Sequence, residues 1–103
     1  MIDTEPTTLE VGTTGYVYAR ITDRRGEDLT SVGFELATVD PAGAQSDWAA
    51  PAGRDDALAA AGVVRVAVLH TAATPGYWKL RYRATDNPET IVGTAGVFRV
   101  VDG

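Results

Sequence analysis

Hydrophobic and polar positions alternate most clearly over residues 77–84, where Trp78, Leu80, Tyr82 and Ala84 fall on one side and Tyr77, Lys79, Arg81 and Arg83 on the other. A period of two is the pattern of an extended strand with one buried face. Turn formers bracket it, Thr74-Pro75-Gly76 before and Asp86-Asn87-Pro88 after. The same alternation recurs along the chain. Residues 8–11 read as a short first strand, 12–15 as a turn, and 16–22 as a strand with Val17, Ala19 and Ile21 inward. The polar run 23–28 closes a hairpin in which Gly26 can take a positive φ. Residues 31–39 carry Val32, Phe34 and Leu36 inward with Gly33, Glu35 and Ala37 outward, and Asp40-Pro41-Ala42-Gly43 turns the chain.

The middle of the chain departs from this rhythm. Residues 46–50 are expected to form a short edge strand centred on Trp48, ended by Pro51 because proline lacks a backbone donor. Over 54–62, Asp55 can cap, the Ala-rich run 57–61 favours helix and Gly62 suits a left-handed exit, so one or two helical turns are expected near 55–61. Strand returns over 63–69, followed by a loop over 70–76. The last strand runs over 91–101, with Gly93 and Gly96 marking bulges or close backbone approach. Seven strand candidates without full helices between them predict an all-β, antiparallel sandwich rather than a parallel α/β sheet.

The 103 residues are expected to form one domain, 1–103, with short extended termini over about 1–7 and 101–103. Cysteine is absent, which removes disulfides, thiolate metal sites and a cysteine nucleophile, so stability rests on packing. A net charge of −5 opposes generic nucleic-acid binding, which needs a positive field. The N-terminal residues lack the basic start and apolar run of a signal peptide, and no stretch is long enough to cross a bilayer, so no membrane association is expected.

Candidate chemistry is sparse. His70, the single histidine, stands at a strand-to-loop junction with no motif supplying an orienting carboxylate and nucleophile, and no enzyme activity is expected. One histidine cannot make a structural zinc site. Carboxylates at Asp55-Asp56, Asp86, Glu89 and Asp102 raise the question of calcium, which takes six to eight converging oxygens. The Asp86 cluster loosely resembles the Asx-Pro turns of calcium-binding adhesion domains, but their paired acidic motifs are missing, so an Asx turn is expected there and no metal or cofactor. Gly12-Thr13-Thr14-Gly15 lacks the lysine of a phosphate loop. What remains is surface. Lys79, Arg81 and Arg83, joined by Arg99, form a basic face that can grip an anionic partner, or lie solvated with Glu35 as a cross-strand counter-charge contributing at most roughly 1 kcal/mol. Among the aromatic residues, Trp78 and Tyr82 fit the core, while Tyr16, Tyr18 and Trp48 are candidates for exposed contacts.

The Pro75-Gly76 turn, the aromatic strand after it and its Ala84-Thr85-Asp86 ending resemble the penultimate strand of immunoglobulin-like domains in bacterial and phage proteins. Arg20-Ile21-Thr22-Asp23 with Gly26-Glu27-Asp28-Leu29-Thr30 looks like the opening hairpin of small phage structural proteins, and residues 82–100 resemble the closing hairpin of phage immunoglobulin-like domains. The resemblance implies an immunoglobulin-like sandwich and a structural role in a tailed-phage virion: head decoration or minor capsid protein, or a neck or tail accessory. It implies protein partners, namely a major capsid, neck or tail protein and other copies of the chain, and a location in the virion after synthesis in the host cytoplasm. It carries over no functional residues. Lys79 is the only lysine and Asn87 the only asparagine, a usage that fits a GC-rich gene of the actinobacterial or actinobacteriophage kind. The alternative expectation is an immunoglobulin-like module that binds carbohydrate or a cell surface through exposed Tyr and Trp rings.

Overall fold

Alternating burial along each strand leaves every sheet with one apolar face, and two such faces close on each other. The structure is a computed structural model that describes residues 2–4, 8–23, 25–86 and 89–102. Its strands are β1 (Ile2–Thr4), β2 (Thr8–Glu10), β3 (Thr14–Thr22), β4 (Gly33–Val39), β5 (Gly53–Asp55), β6 (Val63–Thr71), β7 (Gly76–Asp86) and β8 (Glu89–Val101). Sheet I has the order β1-β3-β6-β5 and sheet II the order β2-β8-β7-β4. Every pair is antiparallel except β2 with β8, which run parallel. The opening segment thus switches from the edge of one sheet to the edge of the other. With β1 and β2 counted as one split first strand, the two sheets reproduce the immunoglobulin arrangement: the first, second, fifth and fourth strands (β1, β3, β6 and β5) form one sheet, and the third, sixth and seventh (β4, β7 and β8) form the other with β2 alongside. The chain is an immunoglobulin-like β-sandwich.

The expected inward positions form the core. Val17, Ala19, Ile21, Val32, Phe34, Leu36, Trp78 and Leu80 are all buried, with Tyr82 and Ala84 packed against them. In β8 the buried residues are Ala95, Phe98 and Val100. The pairing with β7 steps from Leu80↔Gly96 to Arg81↔Thr94, so Ala95 is the extra residue of a bulge, at the site flagged by Gly96. Gly93 answers to the other expectation, close approach. A Cβ there would lie 2.7 Å from the ring of Tyr82, its cross-strand neighbour.

Several expectations are corrected. Residues 46–50 do not form a strand; Gln45 and Ala49 make isolated bridges to Val39 and Leu36. Hydrogen bonds from Leu36 N to Ala49 O (2.8 Å), Ala49 N to Leu36 O (3.0 Å), Ser46 N to Thr38 O (2.8 Å) and Thr38 N to Ser46 Oγ (2.9 Å) use up the free edge of β4. A side-chain oxygen standing in for a carbonyl breaks the ladder, which is why the segment is not a regular strand. The edge strand lies further on, as β5 on β6. Arg54 holds it there, donating from Nη1 to Val32 O (2.6 Å) and from Nη2 to Leu29 O (3.0 Å), with its guanidinium over Phe34. The helical stretch shrinks accordingly to a single 3₁₀ turn over Ala59–Ala61, and Gly62 exits it at φ 86° as expected. There the Cα of Gly26 would stand 2.9 Å from a Cβ, so close packing and dihedral both require glycine.

β6 also runs two residues beyond the expected strand, to Thr71. His70 is therefore a buried strand residue rather than part of a loop. The extension follows from pairing with β3, in which Gly15 faces His70 and Thr14 faces Thr71, the two threonine hydroxyls meeting at 2.9 Å. At the start of the chain, Ile2–Thr4 is not a free arm, because β1 pairs with Ala19–Ile21 of β3. Val101 likewise closes β8. The turn expected at Asn87-Pro88 lies outside the described residues.

Candidate interaction surface

The outer face of sheet II is built row by row from register. Arg83 stands between Glu35 and Val92, Arg81 between Ala37 and Thr94, Lys79 between Val39 and Val97, and Tyr77 beside Arg99. Four of the nine cationic side chains of a chain with net charge −5 thus share one surface. They are not equivalent. Arg83 is engaged: its Nε donates to Glu35 Oε1 at 3.0 Å, its Nη2 donates to the same oxygen, and its guanidinium lies 5.0 Å from the Trp48 ring centroid. The ion pair expected from sequence is formed. Both partners are more than a third exposed, so it contributes at most about 1 kcal/mol. Trp48 is half-buried as the lid on this arginine.

Lys79 is exposed, and neither it nor Arg81 makes an ion pair or side-chain hydrogen bond among the described residues. The Nε of Arg81 is enclosed without a hydrogen-bond partner. These two cations stand in the middle of the face with apolar side chains around them: Val92 and Val97 are each 48% exposed and Tyr77 is 68% exposed. The face therefore combines exposed apolar area with two cations that make no ion pair among the described residues. Val92 and Val97 escaped the sequence reading because the bulge at Ala95 changes which residues of β8 point outward. The Gly93-Thr94-Ala95-Gly96 run was the available signal.

Tyr16 and Tyr18 are on the opposite surface of the molecule, the outer face of sheet I. Tyr16 is 52% exposed beside Leu69, its cross-strand neighbour, while Tyr18 lies beneath Arg65, whose Cζ is 4.0 Å from the ring centroid. The two tyrosine rings are 6.1 Å apart and tilted by 38°. The structure therefore joins Trp48, Lys79, Arg81 and Arg83 on one surface and separates Tyr16 and Tyr18 from them. Trp48 and Tyr18 each already carry a guanidinium on one face.

His70 faces inward between Trp78 (centroids 4.6 Å apart) and Phe98 (5.0 Å), and burial pushes its pKa below the ordinary value of 6.5. Its Nε2 is buried without a partner. Among the described residues no cluster of three or more His, Asp or Glu side chains could hold a metal. Asp55 instead accepts from Ala57 N at 2.9 Å and Asp56 from Arg54 Nε at 2.7 Å, both local contacts. No described helix is long and apolar enough to cross a membrane.

A second feature lies at the end of the sandwich where β7 runs out and β8 begins. A cleft of about 150 Å³ opens between the sheets, with Leu29, Val32, Phe34, Tyr82 and Ala84 on its walls and Ile91, 56% exposed, at its lip. Asp23, Glu27, Asp28 and Glu89 line its polar side. No protein-family model matches the chain, and no curated protein matches it in sequence.

Proposed function

We propose that this chain is a non-catalytic assembly module that works by presenting the outer face of sheet II to an acidic protein surface. The setting we attach to it, from the resemblance in sequence, is the virion of a tailed phage, at the head, neck or tail. The observation that carries the reading is the pair Lys79 and Arg81, unpaired cations among exposed Tyr77, Val92 and Val97 in an otherwise acidic chain. Opposite charge steers the encounter and fixes orientation, apolar neighbours supply the buried area, and a repeated lattice multiplies a weak single contact. The edge of β4 takes no part in strand addition, since residues 45–49 occupy it.

The test is incorporation into particles. Virions purified from the source of this gene should contain the chain in fixed stoichiometry. The Lys79→Glu/Arg81→Glu variant should be incorporated at least about tenfold less, the loss expected when one charge contact worth about 1.4 kcal/mol is removed. Lys79→Glu alone, at an exposed position, guards against misfolding and should lower incorporation in the same direction. Particles that lack the chain, or that take up both variants normally, would end the proposal.

A further inference from the structure

The acidic cleft and the Tyr77–Arg99 corner of the basic face lie at opposite ends of the same strands. β7 begins at Gly76, beside Tyr77, and finishes past Ala84 in the cleft wall; β8 begins at the cleft with Glu89 and Ile91 and ends beyond Arg99. Tyr77 is the most exposed large hydrophobic side chain described, and Arg99 stands across from it with its guanidinium 5.9 Å from the ring centroid. One end of the molecule thus carries an aromatic ring flanked by Arg99 and Lys79. The other carries an apolar cleft flanked by carboxylates.

We infer that the cleft receives the Tyr77–Arg99 corner of a second copy of this chain, in a head-to-tail contact that repeats from copy to copy. This rests on reading the outer face of sheet II as a docking surface, and it names the partner for one end of that face. Size agrees: a cavity of about 150 Å³ is what an aromatic six-membered ring fills in a protein interior. Charge agrees as well. Asp23, Glu27, Asp28 and Glu89 line the cleft, with Arg25, 3.9 Å from Glu27, offsetting one of them. The carboxylate of Asp28 is held below the usual range by hydrogen bonds from the Thr30 hydroxyl and Thr30 N, so it stays charged well into mild acid. Arg99 and Lys79 supply the opposite sign around the entering ring. A phenol needs a polar neighbour for its hydroxyl, and carboxylates at the mouth provide acceptors. Because the two surfaces differ, the contact is heterologous, and it builds rings where the rotation closes and open filaments where it does not.

Sedimentation velocity on the full chain decides the matter. At low salt the sedimentation coefficient should rise with protein concentration, and high salt should weaken association at least about tenfold by screening the charged rim. Tyr77→Ala should remain monomeric, and so should Ala84→Trp, which fills the cleft; Ile91→Lys at the exposed lip serves in its place should the tryptophan disturb folding. Mixed in equal amounts, Tyr77→Ala and a cleft variant should form a species of two chains and nothing larger, since one retains only the cleft and the other only the tyrosine. A wild type that is monomeric throughout, a variant that assembles alone, or a mixture that fails to pair would each overturn the inference. If the chain is monomeric while incorporation into particles still depends on Lys79 and Arg81, the docking face stands and only the self-contact falls.

Discussion

The two ends of the sandwich are built from the same strands and close in opposite ways. At one end His70, Trp78 and Phe98 fill the space between the sheets, the Trp78 and Phe98 rings stacked at 6.0 Å and the imidazole edge-on to both. Trp78 Nε1 donates to Thr74 O at 2.9 Å, so the indole is buried without an orphaned donor. Loop ties seal this end, Gly12 N to Ala72 O and Ala72 N to Thr13 O, both at 2.8 Å. At the other end the wall residues are Leu29, Val32, Phe34 and Ala84, and Tyr82, edge-on to Phe34 at 6.5 Å, lies against Gly93 of β8. A glycine across from a tyrosine lets the ring fold down onto the neighbouring strand, and the mouth stays open. Three rings packed between the strands make one end of the sandwich into core, whereas at the other end two rings, one of them laid against the neighbouring strand, leave a cleft.

The largest expected effect sharpens that contrast directly. Trp78→Ala removes the largest ring of the sealed end and should destabilise the domain by about 3–5 kcal/mol, the range for large aromatic truncations that leave cavities. Phe34→Ala at the open end should cost clearly less, because water can enter an enlarged cleft that already communicates with solvent. Urea unfolding midpoints, compared at equal slopes, report the difference. Equal costs would mean that the cleft end is as tightly packed as the other.

Next in size is the Tyr82–Gly93 pair. Gly93→Ala places a methyl 2.7 Å from ring atoms, so the ring must shift; the expected loss is about 1–3 kcal/mol, as for other overpacked sites. In the Tyr82→Leu background the same change should cost much less, and a double-mutant cycle by chemical denaturation measures the coupling. Additive effects would show that the ring does not depend on the glycine.

The smallest is the pH response of the sealed end. Burial holds His70 below its ordinary pKa of 6.5, so the unfolded chain binds a proton there that the native state resists. Where the unfolded state binds more protons, stability rises with pH. The histidine's contribution is therefore fully present above pH 6.5 and is lost progressively as pH falls through its folded-state pKa. His70→Phe should flatten that part of the stability curve. An unchanged slope in the variant would assign the dependence to carboxylates.

Much of this architecture was legible before any coordinates. Alternation over residues 77–84 and 16–22 named the inward and outward residues correctly, and a cross-strand ion pair between Glu35 and the basic strand followed from it, with the register choosing Arg83. Asp40-Pro41 and Gly62 marked real turns, and Pro75-Gly76 marked the start of β7. The basic half of the candidate surface was equally plain, since Lys79, Arg81 and Arg83 repeat every second residue. The segment around Trp48 was not: its bonds to β4 use Ser46 Oγ in place of a backbone oxygen, a substitution no period reveals. Nor was His70, whose burial depends on how far β3 and β6 pair beyond the obvious apolar run.

The division has a physical reason. Side-chain direction in a strand is set by local backbone geometry, so the chain by itself determined which residues of β3 and β7 face the core and that the result is a sandwich with at most a short helical turn. Choice of partner is not local. That Arg54 ties β5 to the β3–β4 loop, that Tyr82 settles on Gly93, that a bulge at Ala95 brings Val92 and Val97 beside the cations, and that a cleft remains where carboxylates gather were decided only when segments tens of residues apart were packed together.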